Sequence, residues 1–546
     1  MDEPVEQPEQ QGERMTIAIH STAHRVMADR QRAGRAALLA ASIALIAGLT
    51  AVTAADGPRS LAVVGQICFV LVFSALAVLD LRSATALALL ELVIGGSAGQ
   101  WTTFPGGFHG RLVLDGIVML RAAGSLIVDW RRTRTLDLGR YGPHAALLAV
   151  AMPAVWMTLG LINGNAPRDV FSDGNAEIFF AFTLVFVVLV KSGHGAWLRN
   201  WLLVCCALDA IVICGLFVVA VAGLVPAEPT LREILWDRLG MGNAIGYVEN
   251  GAFRLYLASG LYLQIGVAIA GSLLLANWRR PWVWALMGLL VAALIATYTR
   301  GFWVSAAVAL LVVLGLGSRN LVPPIRVLGG LLLMIAAASA VGYSFGFSLP
   351  DYVLNRAASI SETDGQAPGM PASSPTNTPQ AGARPVATPT APPPGSDTSG
   401  PISNAIRVVQ GRILLAHIAE RPILGWGFGA IAPDYPYGLV PNYELAFLDL
   451  AFKTGLIGVA LWLSFPVRLL IAFMLARLRR IRLPDGLPPE AAAVPIAIVA
   501  SILVVGATSS YILASYGLLP IIWAVAWLEP SPSQPMSAEP HPGTPS

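Results

Sequence analysis

The chain has 546 residues, of which 55% are hydrophobic and only 12% charged, with a mean hydropathy of +0.66. A soluble domain carries roughly a quarter charged residues, so a soluble multidomain protein of this length is excluded. A net charge of +3, with no basic run interleaved with aromatics, leaves no footprint for a nucleic-acid partner. The apolar residues fall instead in repeated blocks about as long as a bilayer is thick. The predicted fold is all-α, a polytopic transmembrane bundle of about 12–14 spans with a long external loop bearing short helices.

In chain order, residues 1–34 are polar and carry several arginines. They are too long for the n-region of a signal peptide and read as a cytoplasmic tail, with no cleavable leader expected. Candidate helices follow at 35–54, 60–80, 84–98, 112–129, 145–162, 176–191, 201–224, 255–276, 281–298, 302–317, 327–345, 455–477, 491–509 and 513–528. Alternate loops hold the arginine clusters, among them Arg131, Arg132, Arg134 and Arg140, then Arg279 and Arg280, then Arg477, Arg479, Arg480 and Arg482. The positive-inside rule puts these loops and both termini in the cytoplasm. The division is a tail over 1–34, a transmembrane bundle over 35–345, an external loop over 346–454, closing transmembrane helices over 455–528 and a disordered tail over 529–546. Within the loop, 363–401 is rich in Pro, Ser, Thr and Ala, a composition that cannot bury a core. Cys68, Cys205, Cys206 and Cys214 all lie in apolar blocks and read as small buried hydrophobes rather than disulfides or metal ligands.

Ionisable residues inside the spans are few: Glu91, Asp115, Arg121, Asp209 and Arg468. Such groups are functional candidates by default, although helix-end placement for Asp115 and Arg121, and hydrogen bonding within the bundle for Glu91 and Asp209, account for them equally well. The external arginines stand out more. Arg254 opens a predicted helix in ENGAFRLYL, Arg300 sits in the tight turn TYTRGFW, and Arg407, Arg412 and Arg421 follow in the long loop. Arginine on the outer side runs against the topological bias, and its planar fork matches phosphate oxygens. Solvated loop charge, or pairing with Glu249, Asp434 and Glu444, is the plainer account.

Three further features bear on chemistry. GWGFG (425–429) resembles part of a phosphate-cradling loop, but it follows Pro422 rather than a strand and lacks a GK[ST], so a turn is the better reading. In PNYELAFLDLAFKTGLIG (441–458), Asp449 and Lys453 form an i,i+4 pair, while Glu444 has no local cation and is the carboxylate suited to accept a proton from a sugar hydroxyl. His417, in LLAHIAERP, is a packing histidine in the plainer reading and a catalytic one in the sharper.

TYTRGFWVSAAVALL (297–311), RVVQGRILLAHIAERPILGWGFG (407–429) and NYELAFLDLAFKTGLIG (442–458), in that order, resemble the O-antigen ligase and O-antigen polymerase superfamily. The matching positions are Arg300 to Trp303, Arg407, Pro422 with Gly425 and Gly427, and Gly455 with Gly458; Glu91 with the segment 95–114 is similar to the family's N-terminal half. The resemblance implies a metal-independent membrane glycosyltransferase of the GT-C type with no cofactor, acting at the outer face of the bacterial inner membrane. Its donor would be an undecaprenyl-diphosphate-linked glycan and its acceptor a glycan or lipid, in polysaccharide biosynthesis. By analogy, Arg254, Arg300, Arg407 and Arg412 would bind the diphosphate, with Glu444 and Arg300 catalytic. Ligases carry a histidine ahead of the G-x-x-G where this chain has Glu444, which points toward a polymerase or another glycoconjugate branch. A flippase or transporter of lipid-linked saccharides is the alternative, and a non-catalytic scaffold is a third reading.

Overall fold

A computed structural model describes residues 8–95, 110–226, 230–239, 242–247, 253–318, 320–344, 399–435, 443–507 and 509–530. In lipid no water satisfies backbone amides and carbonyls, so long apolar segments close their hydrogen bonds internally as helices. The helices are α1 (Pro8–Ala54), α2 (Arg59–Leu79), α3 (Leu81–Ile94), α4 (Gly110–Thr133), α5 (Gly142–Ile162), α6 (Pro167–Ile178), α7 (Thr183–Leu189), α8 (Gly195–Val221), α9 (Leu261–Ala276), α10 (Pro281–Ala296), α11 (Arg300–Leu316), α12 (Val322–Ser344), α13 (Ser399–Glu420), α14 (Ala446–Leu478), α15 (Ala493–Gly506) and α16 (Ser515–Trp523). Each of the fourteen apolar blocks falls on one or more of these helices. Six stretches of the described residues are long and apolar enough to cross a membrane, and five shorter apolar helices accompany them.

One of the six, 167–221, holds two predicted spans. Phe186 packs on the Trp523 ring, and Trp523 Nε1 donates to Leu198 O, so the chain reverses between residues 186 and 198. The reversal passes through Gly193, whose φ of 81° suits a residue without Cβ. Burial sorts the helices by layer. The segment Ala258–Ala276 is 83% buried over its most apolar window and forms the axis of the bundle, whereas α2 turns Leu61, Val64, Ile67, Leu71 and Val78 outward. That outward set is the face expected of a helix packed on one side and bathed in lipid on the other. Phe180 packs edge-on against both Trp462 and Phe465, tying the segment after α6 to α14.

Several expectations need correction. Arg254 does not open a helix. It lies in strand β2 (Phe253–Leu257), antiparallel to β1 (Gly242–Tyr247), with Arg254 opposite Gly246. Leu255 and Leu257 are buried at alternate positions, a period of two that a helix cannot present. The polar 1–34 segment is helical from Pro8 onward, continuous with the first span. Of the cysteines, Cys205 and Cys206 are buried, but Cys68 is exposed on the outer face of α2. The segment 351–398, which contains most of the low-complexity stretch, lies outside the described residues, as does 531–546.

Among the ionisable residues within spans, Glu91 takes a bidentate grip from Arg111, Nε to Oε2 at 2.9 Å and Nη2 to Oε1 at 3.0 Å, both residues buried. Asp209 is fully buried, and neither carboxylate oxygen has a hydrogen-bond partner among the described residues. Arg468 Nη2 donates to Arg140 O at 2.9 Å. These contacts make Glu91 and Arg468 part of the packing.

Candidate functional site

The site is built on a turn fixed by backbone bonds. After α13, residues 422–429 run alongside the first turns of α14 and the end of α5. Trp426 N donates to Phe452 O, Gly427 N to Lys453 O, and Phe428 N to Trp156 O, at 3.0, 2.8 and 2.9 Å. Gly425 N donates to Arg421 O and Gly429 N to Asp173 Oδ2. All five amides of GWGFG are therefore spent on protein acceptors, so the segment is a packed turn and holds no donors ready for a phosphate. Gly425 (φ 69°) shows why glycine is required, since a Cβ there would lie 2.6 Å from both Gly455 N and Lys453 O. Gly455 (φ 62°, ψ −174°) breaks α14 and lets its first turns lean toward the loop.

Under this turn lies a buried ionic network. Lys453 Nζ sits 3.0 Å from each carboxylate oxygen of Asp173 on α6, and 3.2 and 3.3 Å from those of Asp449. Asp449 also accepts from Tyr443 N at 3.3 Å. The i,i+4 pair read from the sequence is present, but Asp173, 280 residues away, is the partner that local spacing could not show. The network ties α6, α14 and the glycine turn together.

Above it, α13 docks through residues Arg407, Gln410, Leu414 and His417, spaced three, four and three apart on one helical face. Gln410 is buried and accepts from Leu445 N at 3.2 Å, and Leu414 is buried in a small cluster with Tyr443 and Phe452. This docking brings Arg407 to Glu444, Nε to Oε2 at 2.7 Å. The Nε hydrogen does not point along that line, so the contact is ionic in character rather than a well-aligned hydrogen bond. The Glu444 side chain is 50% exposed, leaving its carboxylate open to a ligand.

Two loop arginines are placed otherwise. Arg412 is exposed, and five residues of helix turn it about 140° from Arg407. Arg421 stacks 3.9 Å over the Trp426 ring and donates to Asn163 Oδ1 at 3.2 Å, holding the turn against the end of α5.

His417 is a structural residue. Its Nε2 meets Asp434 Oδ1 at 2.8 Å, and its carbonyl accepts from Trp426 Nε1 at 3.0 Å. Burial opposes charge on His417, but the Asp434 hydrogen bond and carboxylate charge outweigh it and push its pKa above the ordinary 6.5. The same bond pulls Asp434 below 3.8. A raised histidine contributes stability that is full below its unfolded pKa and lost as pH rises through its folded one. A depressed aspartate contributes stability that is lost as pH falls through its own folded value. Docking of the α13 C-terminus is therefore expected to be firmest between these limits. Hydrogen exchange at residues 414–421 should accelerate as pH rises through the histidine titration, and His417→Gln should flatten that rise. An unchanged profile in the variant would remove His417 as the cause.

Arg300 begins α11, after Thr299 as N-cap, in a turn stapled by Trp303 Nε1 donating to Leu294 O at 2.7 Å. At the other end of α11, Arg477 Nε donates to Leu316 O at 2.6 Å, level with the last turn of α14. Because both helices finish together, the Arg300 end of α11 faces the same side as the beginning of α14, where Glu444 lies. The strand bearing Arg254 leads to that turn as well, since a Cβ on Gly260 would lie 2.7 Å from Phe302 Cε2 and 3.3 Å from Thr297 Cγ2. Arg254, Arg300, Arg407 and Glu444 thus share one end of the bundle at the level of the backbone. The side chain of Arg254 lies outside the described residues.

No curated protein matches the chain. Residues 285–463, running from α10 through the Arg300 turn and α13 to the network lysine, match the family model described as O-antigen ligase. With its many apolar helices, the chain is a multi-pass membrane protein, and its 285–463 segment is similar to the O-antigen ligase family.

Proposed function

We propose that the chain is a membrane glycosyltransferase of the O-antigen ligase or polymerase type. It moves or polymerises glycan from an undecaprenyl-diphosphate carrier at the outer face of the bacterial inner membrane, onto a glycan or lipid acceptor. The observation that carries this reading is the Arg407–Glu444 pair, made by α13 docking at the end of the bundle that also holds Arg300. The arginine-rich loops at the opposite end support a cytoplasmic assignment for that side and an external one for the site. The division of the chain into a bundle over 35–345, a loop over 346–454 and closing helices over 455–528 follows the same topology.

In the proposed reaction an acceptor hydroxyl attacks the anomeric carbon while its proton passes to Glu444. The bond from that carbon to the carrier oxygen breaks, and its electron pair leaves with the diphosphate. Arg300 and Arg254 meet the growing negative charge, with Arg407 dividing its charge between Glu444 and the leaving group. No step calls for a metal or cofactor. Glu444 stands where ligases carry histidine, which favours the polymerase branch over strict lipopolysaccharide ligation.

A charge swap tests the pair. Arg407→Glu with Glu444→Arg keeps an ion pair and the loop packing but moves the base by one helix. Transfer is expected to stay at the level of the single variants, at least about a hundredfold below the parent, while thermal stability returns. Transfer restored by the swap would show that the pair only holds the loop. The readout is the carrier-linked glycan profile of a deletion strain complemented with each variant.

A further inference from the structure

Far from this site, at the arginine-rich end, a cavity of about 500 Å³ opens between α3, α4 and the Lys191–His194 turn after α7. Its wall joins apolar residues such as Leu79, Leu126 and Val188 to polar and charged ones. Its ionic groups sort into spent and unspent. Asp80 caps α3, accepting from the amides of Arg82 and Ser83 and from Ser83 Oγ. Lys191 is paired with Asp137 at 2.5 Å and also donates to Asp137 O. The two guanidinium groups have neutral partners. Arg82 lies 4.9 Å over the Trp197 ring, and Arg121 donates to Ser125 Oγ. Neither makes an ion pair among the described residues. Asp129 lies exposed and lines the cavity, as does His194.

Arg121 is the telling residue. It lies on α4 twelve positions before Thr133, and its contact with Ser125 bends the side chain toward the arginine-rich end, as a snorkelling arginine does. A cation held there in an amphipathic cavity, beside a second one, selects an anion carried by an apolar molecule. We propose that this cavity holds the phosphodiester headgroup of a membrane glycerophospholipid. Arg82 and Arg121 grip the phosphate, and the acyl chains lie along Leu79 and Leu126. Two forked cations against one unspent carboxylate suit a monoanionic diester better than a dianionic free phosphate. Such a lipid would cross-link α3, α4 and the α7–α8 turn from the membrane side.

The test uses the full chain purified in maltoside detergent and stripped of lipid. Phosphatidylglycerol is titrated in and bound copies are counted by native mass spectrometry, with monoglucosyl-diacylglycerol and inorganic phosphate as the other arms. One saturable phosphatidylglycerol site is expected, weakened about tenfold or more by Arg121→Gln and by Arg82→Gln. It should be unmoved by Arg326→Gln, which removes an exposed arginine elsewhere. Arg82→Gln, at an exposed position, keeps the test valid if the Arg121 variant misfolds. Equal binding of the glucolipid, equal loss with Arg326→Gln, or displacement by millimolar inorganic phosphate would each overturn the proposal, the last by revealing a plain anion site.

Discussion

Replacing Arg300 with alanine is expected to lower glycan transfer by about 10²–10³-fold, the cost of removing one preorganised donor from a developing anion. Departure of a carrier diphosphate concentrates new charge on the bridging oxygen, and a guanidinium already in place stabilises that charge without reorganising. Arg300 is well placed for the task. It is the first residue of α11, at the positive end of that helix's dipole. The Trp303 staple fixes the turn that carries it, so the side chain is presented from a rigid base. Arg300→Lys keeps the charge but loses the fork, and should recover only part of the rate. Measured on purified protein with a lipid-linked glycan donor, the loss should fall mainly on turnover rather than on donor KM, because the interaction strengthens as charge develops. Parent-level transfer by the alanine variant, in a protein that melts normally, would remove Arg300 from the site.

How far the sequence reached depends on which force placed each residue. The spanning helices were legible because lipid imposes one solution on an apolar segment, and the fourteen blocks all fall on helices. The pairing of Arg407 with Glu444 was legible only as a possibility, since the nearest acid to each loop arginine could be named but not chosen. The docking face of α13 decided it, through Gln410 and Leu414. Arg254 was misread because ENGAFRLYL is apolar enough to extend the next span. Its alternating Phe253, Leu255 and Leu257 behind Asn250-Gly251 was the available hairpin signal. Asp173 was invisible for another reason. It lies in a short polar helix opened by Pro167, ahead of the apolar block, and nothing local links it to a lysine 280 residues away. The glycine turn was read correctly as a turn. Its function, spending every amide on protein acceptors while Trp426 O and Phe428 O accept from Asn163 and Asn165, needed the fold.

The network beneath that turn is where the largest stability effect is expected. Lys453→Met should destabilise the protein by about 3–5 kcal/mol, the usual cost of removing one partner from a buried ion pair. Lys453 is 3% exposed in its side chain, Asp173 8% and Asp449 0%, so neither carboxylate can turn to water for compensation. The methionine is close in length, so the loss reports charge rather than a cavity. Removing the facing charge tests that account: Lys453→Met with Asp449→Asn leaves one buried carboxylate instead of two and should recover part of the loss. The double-mutant cycle measures how much of the effect is coupling between the pair. Asp173→Asn should cost less than Lys453→Met, because the amide still offers an oxygen to Gly429 N and Lys453 keeps Asp449. Thermal unfolding in detergent checks all four proteins. Because the network anchors Gly429 and the start of α14, the Lys453 variant should also lose transfer in proportion to its unfolding near the growth temperature, and regain it on cooling. A Lys453→Met protein that melts like the parent would mean that the glycine turn is held by its backbone bonds alone. A stable variant that still loses transfer would instead bring Lys453 into the reaction itself.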